Sequence, residues 1–329
     1  MTDLSKFDPN SVGNPNNNIF GLPFSEEDAR LVILPIPWEV TVSYNAGTAR
    51  APEHIFNSSL QVDLFDPDVK DGWKQGFFMR PCDKKVLMKS DYLRKEAELY
   101  INYISHDEVV ADNKFMCKSL KEINEGSVFL NNWVFERSKE LLDSGKLVAL
   151  LGGDHSTPLG FFKAIAEKHG EFGILQIDAH CDLRKAYEGF VYSHASIMYN
   201  ALEEIPQLQK LVQVGIRDYC EEEVDYINAS NSRVVTYFDK NIKERLFEGE
   251  TWKQLVDEMI DHPGRVHSVN CDELEESILF RCFCFVSGVG ILAGAFINYF
   301  GRQVVFRSKL ILNPKATRKG QPDRFVSFR

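Results

Sequence analysis

The stretch FGILQIDAHCD (residues 172–182) places three ligand-type side chains directly after an apolar run. The run, residues 172–177, is typical of a buried β-strand, and Asp178, His180 and Asp182 follow at every second position. Because side chains alternate along an extended chain, these three are expected to point to the same side. Carboxylates and imidazole without thiolate favour a divalent ion such as Mn²⁺ over structural zinc.

The same triplet has a purely structural interpretation. Asp178 could cap a turn and His180 could be a hydrogen-bonded core histidine, and on the triplet alone the two interpretations weigh equally. A second motif, GGDHS (residues 152–156), puts Asp154 and His155 after another apolar run. Taken alone, this motif favours a strand-to-helix turn with Asp or Ser as the helix cap. Together the two motifs indicate ligands at two neighbouring strand ends.

Apolar runs alternate with amphipathic segments along the chain. The pattern predicts strands at 31–37, 146–153, 172–177, 210–216 and 233–238, and helices at 134–145, 156–170 and 195–205. Near-continuous apolar strands separated by helices predict an α/β fold whose mostly parallel sheet is covered on both faces. Ligands of such folds bind at the carboxyl ends of the strands, where both motifs lie.

The composition of the 329-residue chain excludes some classes of partner. The net charge of −10 and the pI near 5.4 argue against nucleic acid and anionic membranes and suit a cationic substrate. The seven cysteines form no CxxC pair, and the N-terminus has no charged-then-apolar signal pattern. A cytoplasmic protein with reduced thiols is therefore expected.

Several ordered motifs resemble the ureohydrolases, the family of arginase, agmatinase and formiminoglutamase, with agmatinase-like members most similar. They are VILPIPWEVTVSYNAGTARAPEHI (32–55), GGDHS (152–156), DAHCD (178–182), YSHAS (192–196) and VGIRD (214–218). The resemblance implies a three-layer α/β/α sandwich. It also implies hydrolysis of a linear guanidine or amidine, a place in polyamine metabolism and a homo-oligomer. Agmatine, arginine, guanidinobutyrate and formiminoglutamate all remain candidate substrates.

The resemblance also implies a site with two Mn²⁺ ions. His155 and Asp182 would bind one ion, His180 the other, and Asp178 would bridge them. The ions would activate a water to attack the guanidinium carbon, so that urea and an amine are released.

Two further residues receive roles from the same resemblance. His194 in YSHAS would transfer protons, and Asp154 would orient a ligand. Without the resemblance, His194 would be interpreted as an ordinary surface histidine.

The chain departs from the family pattern near its C-terminus. Where the family has S-x-D-x-D-x-x-D-P, this chain has SVNCDELEE (268–276), so that Asn270 replaces a bridging aspartate while Asp272 remains a candidate ligand. The later element that holds the guanidinium with a glutamate is not recognisable. Because Asn270 removes one negative charge from a site for two dications, the alternative is a catalytically impaired homologue with a binding or regulatory role.

The predicted organisation has three parts: an N-terminal extension (1–30), the ureohydrolase-like domain (31–276) and a C-terminal segment (277–329). The last part has nine Lys or Arg and one Asp, a net charge of +8. It is interpreted as a divergent or out-of-frame replacement of the family's last strands, which could complete the same domain. Its uncharged run at 282–300 also has the length of a membrane anchor, although its glycines and polar residues and the enzyme-like body argue against one.

Overall fold

A computed structural model of the chain describes residues 2–66, 70–261 and 266–271. Within these residues the strands are β1 (Leu31–Ile36), β2 (Phe77–Met79), β3 (Leu147–Gly152), β4 (Phe172–Ile177), β5 (Leu208–Ile216), β6 (Val234–Phe238) and β7 (Val266–Cys271). The helices are α1 (Ala51–Ser59), α2 (Lys84–Ile104), α3 (Lys114–Asp143), α4 (Leu159–His169), α5 (Ile197–Glu204), α6 (Glu221–Ala229), α7 (Asp239–Phe247) and α8 (Trp252–Asp261).

The strands form two parallel sheets, in the orders β2-β1-β3 and β6-β5-β4-β7. Strand β1 runs in register with β3 from the pair Leu31 and Leu147 to the pair Ile36 and Gly152. Because every strand pair is parallel, the strands of each sheet end along one common edge.

Helices cover both faces of the four-stranded sheet. On one face, Ile174 and Leu211 pack with Phe162 of α4 and Ile197 of α5. On the other, Leu175, Val212 and Val214 pack with Ile242 of α7 and Val256 of α8. The alternation of strand side chains thus separates two apolar cores and gives three layers.

The three-stranded sheet is covered in the same way. Leu34 of β1 belongs to a core with Leu93 of α2 and Leu130 of α3. Ile33, its neighbour along the strand, packs on the opposite side with Ile55 of α1. The fold is therefore the expected α/β/α sandwich.

Within residues 2–30, the part of the N-terminal segment that the structure describes, the only regular element is a 3-10 turn at Ile19–Gly21. Ile19 and Leu22 are fully buried. The side chain of Asn18 accepts a hydrogen bond from the Met79 N–H at 2.7 Å and donates one to the Met79 carbonyl at 3.2 Å. This segment therefore packs against β2.

Strands β1, β3, β4, β5 and β6 lie where the apolar runs predict them, with bounds that differ by up to two residues. Strand β2, the first two thirds of α3 and helices α1, α2, α6, α7 and α8 were not predicted. No helix in the described part of the chain is both long and apolar enough to cross a membrane. The run at 282–300 lies outside the described residues.

Candidate metal centre

Two loops at the carboxyl ends of β3 and β4 bring the candidate ligands together. The loop after β3 carries His155, and the loop after β4 carries Asp178 and Asp182. The first loop packs tightly on the chain beyond β1, since a Cβ atom at Gly153 would lie 1.7 Å from the carbonyl oxygen of Trp38. Only glycine permits this approach, which explains the glycine before Asp154 in GGDHS.

His155, Asp178 and Asp182 form one buried cluster. The Nδ1 atom of His155 lies 2.5 Å from Oδ2 of Asp182 and 3.2 Å from Oδ2 of Asp178. One ligand atom from each residue falls within 4.8 Å of the other two. Two carboxylates and an imidazole this close, with side chains at most 6% exposed, form a donor set that fits a divalent cation.

His180 lies at the rim of this cluster. Its Nδ1 is 3.6 Å from Oδ1 of Asp178, and its Nε2 is 3.7 Å from Oδ2 of Asp218. Asp178 therefore turns one oxygen toward His155 and the other toward His180. This placement suits a carboxylate shared by two neighbouring cation positions.

The two carboxylates of the cluster have opposite pKa shifts. Burial alone would raise the pKa of Asp178, but hydrogen bonds to His155 and His180 outweigh it and lower the pKa to about 2. Burial and the negative charge of Asp178 raise the pKa of Asp182. The cluster thus holds one firmly ionised carboxylate and one that a nearby positive charge would help to ionise.

Asp154 does not join the cluster. One of its oxygens accepts hydrogen bonds from the Thr41 N–H at 3.2 Å and the Thr41 hydroxyl at 3.1 Å. The other accepts from the N–H of Ser156 at 2.9 Å and from the Ser156 hydroxyl. Asp154 therefore fixes the chain beyond β1 to the loop that carries His155.

Thr41 connects Asp154 to His194. The hydroxyl oxygen of Thr41 accepts the His194 N–H at 3.2 Å and lies 3.5 Å from His194 Nδ1. Because the hydroxyl donates its only proton to Asp154, it can only accept from the imidazole, which favours a proton on Nδ1. His194 Nε2, 3.4 Å from the Ser43 hydroxyl, is then the nitrogen free to take up a proton.

Glu188 was not recognised from the sequence. It lies on the loop between Asp182 and His194, next to Tyr187, whose ring contacts the His194 ring edge-on at 5.8 Å. Its Oε2 atom is buried and has no hydrogen-bond partner among the described residues. Burial raises the pKa of Glu188, while positive charges on His194 and Arg94 oppose the shift. Its position in a polar loop offered no sequence signal.

Gln176 and Gln213 were also missed, because they resemble single interruptions of apolar strands. Both are fully buried, and the Gln176 side-chain amide donates to Asp178 Oδ2 at 2.9 Å. In the backbone register, Asn270 of β7 lies beside Gln176. Asp272 lies outside the described residues.

Comparison with known proteins shows which family the chain is similar to. The sequence profile described as "Arginase family" matches residues 29–276. An N(1)-aminopropylagmatine ureohydrolase of Thermus thermophilus is 29% identical over 256 residues, which cover 77% of this chain and 71% of that protein. The Synechocystis protein of the same name is 28% identical over 214 residues, which cover 63% of this chain but only 57% of the relative.

Solved structures show the same fold. The agmatine ureohydrolase of Thermoplasma volcanium superposes with a TM-score of 0.52 at 19% sequence identity, over 75% of this chain and 68% of that one. At this identity the likeness concerns the fold, whereas the profile match spans most of the sequence, including GGDHS and DAHCD. The chain belongs to the Arginase family.

Proposed function

We propose that this protein is a manganese-dependent hydrolase of linear guanidines or amidines, agmatinase-like in its chemistry. The observation that carries the proposal is the buried cluster of His155, Asp178 and Asp182, assembled from two loops at the strand ends. In the reaction, water adds to the guanidinium carbon, a C–N bond breaks and the departing nitrogen takes a proton. Urea and an amine are the products when the substrate is a guanidine.

The residues around the cluster would hold two Mn²⁺ ions. His155 and Asp182 would bind one ion, His180 the other, and Asp178 would contribute to both. Bound there, the ions would lower the pKa of water and stabilise negative charge that develops on the substrate. The split orientation of the Asp178 carboxylate, toward His155 on one side and His180 on the other, supports this assignment.

His194 would move the proton that the reaction needs. The Thr41 hydroxyl favours a proton on Nδ1, so Nε2 is available to accept a proton and to pass it to the departing amine. Asp154 would act indirectly, since its oxygens bond Thr41 and Ser156 rather than any group of the cluster. We therefore assign Asp154 a positioning role.

The substrate would be a cation. The acidic chain attracts positive charge, and Glu188 offers a buried carboxylate oxygen without a partner among the described residues. The two relatives are named for a substrate that carries both a guanidinium and amino groups. Agmatine and its N-alkylated forms are accordingly the first compounds to test.

Asn270 supports a second candidate, a homologue with impaired catalysis that binds a ligand or regulates a partner. Asn270 belongs to β7 and is in backbone register with Gln176 of β4. In the family pattern this position is a bridging aspartate. A neutral amide there leaves two dications with less compensating charge. Cytoplasmic location and a homo-oligomeric state remain predictions for either candidate.

Metal content and urea release together test the proposal. The purified full-length protein is stripped of metal, loaded with Mn²⁺, analysed for bound metal and assayed with agmatine, N-aminopropylagmatine, arginine and guanidinobutyrate. We expect two ions per chain and urea from at least one cationic guanidine. Fewer than two ions and no urea from any compound would favour the impaired homologue.

The matched variants are His155→Ala and Ser59→Ala. His155→Ala removes a ligand, so that both bound metal and urea release should fall. Ser59→Ala removes a buried hydroxyl that bonds the Phe20 N–H and the Phe56 carbonyl, outside the metal centre, and should change neither. Urea release that survives His155→Ala would overturn the assignment of the site.

A further inference from the structure

Three polar side chains, two of them fully buried, lie side by side on neighbouring strands and lead to the candidate metal centre. Gln176 of β4 is in register with Gln213 of β5, which is in register with Thr236 of β6. Both glutamine side chains are fully buried. Because a buried amide without partners is costly, a strand that holds one needs bonding groups at defined positions.

The hydrogen bonds of this row run in one direction. The Thr236 hydroxyl donates to Gln213 Oε1 at 2.8 Å, and Gln213 Nε2 donates to Gln176 Oε1 at 2.7 Å. Gln176 Nε2 then donates to Asp178 Oδ2 at 2.9 Å. The row thus ends on the carboxylate that faces both His155 and His180.

Carbonyl groups fix the orientation of each amide. The second N–H of Gln213 donates to the Cys181 carbonyl at 2.7 Å, and that of Gln176 donates to the His180 carbonyl at 3.2 Å. If either amide flipped, its oxygen would face a carbonyl or carboxylate oxygen and its donors would lose their acceptors. The acceptors after β4 therefore dictate both orientations, and Thr236 must donate.

The Asp178 carboxylate is held at both oxygens, one bonded by the row of side chains and the other by the backbone N–H of His180. Oδ2 accepts from Gln176, and Oδ1 accepts the His180 N–H at 2.8 Å. With both oxygens bonded, the carboxylate plane is held in the orientation that turns one oxygen to His155 and one to His180. An oriented ligand loses less freedom when a cation binds.

We propose that Thr236, Gln213 and Gln176 form a positioning relay that begins two strands away from β4 and orients Asp178 for divalent-cation binding. The proposal rests on the proposed function, since it takes Asp178 to be a metal ligand. None of the three side chains touches the substrate, so they are positioning residues. A purely structural role would stabilise the sheet without changing the affinity for metal.

The experiment compares Mn²⁺ affinities of full-length variants, measured from the electron paramagnetic resonance signal of free Mn²⁺ during titration. Thr236→Val removes the first donor and keeps the side-chain shape, and Thr236→Ser keeps the donor. Gln213→Met and Gln176→Met break the row nearer to Asp178. Thermal melting of each variant without metal reports the loss of stability separately.

We expect each substitution to raise the dissociation constant for Mn²⁺, and the increase should be larger the nearer the substituted residue lies to Asp178. Partners that contact a metal ligand directly change affinity by about 10–100-fold, so Gln176→Met should fall in that range and Thr236→Val should weaken binding roughly threefold. Thr236→Ser should restore the native value. Ser59→Ala, which loses a buried hydroxyl bond elsewhere, should lower the melting temperature without changing the affinity.

Two results would overturn the relay. If Thr236→Val and Gln213→Met lower the melting temperature but bind Mn²⁺ like the native protein, the row is only structural. Asp178→Asn separates this failure from failure of the proposed function. If Asp178→Asn loses Mn²⁺ binding while the row variants keep it, only the relay is wrong, whereas native binding by Asp178→Asn overturns both.

Discussion

The Nδ1 atom of His155 lies 2.5 Å from a carboxylate oxygen of Asp182, although the two residues are 27 positions apart in the chain. They follow strands of two different sheets, β3 and β4. The contact is buried, so the imidazole and the carboxylate must either share a proton or share a cation. These two states respond differently to added metal.

Added Mn²⁺ should therefore stabilise the native protein. A ligand at about 100 times its dissociation constant adds roughly 2.7 kcal/mol to the free energy of unfolding when it binds only the folded state. Asp182→Asn should lose most of this gain, because an amide cannot supply the carboxylate charge that His155 and the ion both face. Thermal melting with and without Mn²⁺ measures the gain. An equal gain in the native and variant proteins would contradict the assignment of Asp182.

Thr41→Val should lower kcat by about tenfold while leaving the affinity for Mn²⁺ unchanged. Acid–base groups contribute about 10²–10⁴ in rate, and this change disturbs the orientation of His194 without removing it. The physical reason is that valine can neither accept from His194 nor donate to Asp154. Thr41→Ser keeps the hydroxyl and is the control. A native kcat in Thr41→Val would show that the contact is not needed for proton transfer.

Much of this fold follows from the apolar runs. Strands β1, β3, β4, β5 and β6 are covered on both faces and therefore appear as continuous apolar segments. Strand β2 has three residues, too short for a pattern to stand out. In α3, polar residues such as Ser119, Ser127 and Asn131 are buried, so its first part lacks a clean apolar stripe.

The site could be predicted only in part. The ligand types and their strand-end positions predict His155, Asp178 and Asp182 as candidate ligands, and the structure brings these three residues together. Thr41 and Gln213 could not be found, because their roles depend on register and loop packing between distant segments. Glu188 has a positive φ of 55° and a buried oxygen, and neither property is visible in its neighbours along the chain.

Arg80→Met should destabilise the protein by about 1–3 kcal/mol near neutral pH, since it removes hydrogen bonds between charged groups. The Arg80 guanidinium, 16% exposed, lies 2.6 Å from Glu26 and 3.0 Å from Glu140, and so ties the N-terminal segment to α3. Arg137→Met is the control. The native Arg137 side chain also bonds Glu140 but is 48% exposed, so its loss should lower the free energy of unfolding by less than about 1 kcal/mol.

The cost of Arg80→Met should depend on pH. The hydrogen bond from Arg80 lowers the pKa of Glu140 below its ordinary value of 4.5. A carboxylate whose pKa is lower in the folded state stabilises the fold fully above its unfolded pKa, and this stabilisation is lost as pH falls through the folded pKa. Urea unfolding at pH 7, 5 and 3.5 should therefore show the difference shrinking below pH 4.5. A constant difference would contradict the coupling to Glu140.

Glu188→Gln should raise KM for a dicationic guanidine by about tenfold, which corresponds to roughly 1.4 kcal/mol of lost binding. The buried Oε2 atom would accept an N–H from the cation, and glutamine keeps the shape but loses the charge. Guanidinobutyrate, which carries a carboxylate instead of an ammonium group, should be affected less. Glu167→Gln removes the same charge from the exposed end of α4 and should leave KM unchanged. Equal KM changes for both substrates would rule out a role in recognising the ammonium group.

Asn270→Asp should tighten Mn²⁺ binding and raise the rate of urea release. The backbone of Asn270 lies in register with Gln176, two residues before Asp178 on the neighbouring strand. The substitution would restore the aspartate that the family pattern has at this position, and the charge of the ligand set is a main determinant of cation affinity. We expect the dissociation constant to fall by about tenfold. Asn231→Asp makes the same change in the turn before β6, at the opposite end of the sheet, and should have no effect. If Asn270→Asp binds Mn²⁺ no better than the native protein, the neutral amide is not what limits this site.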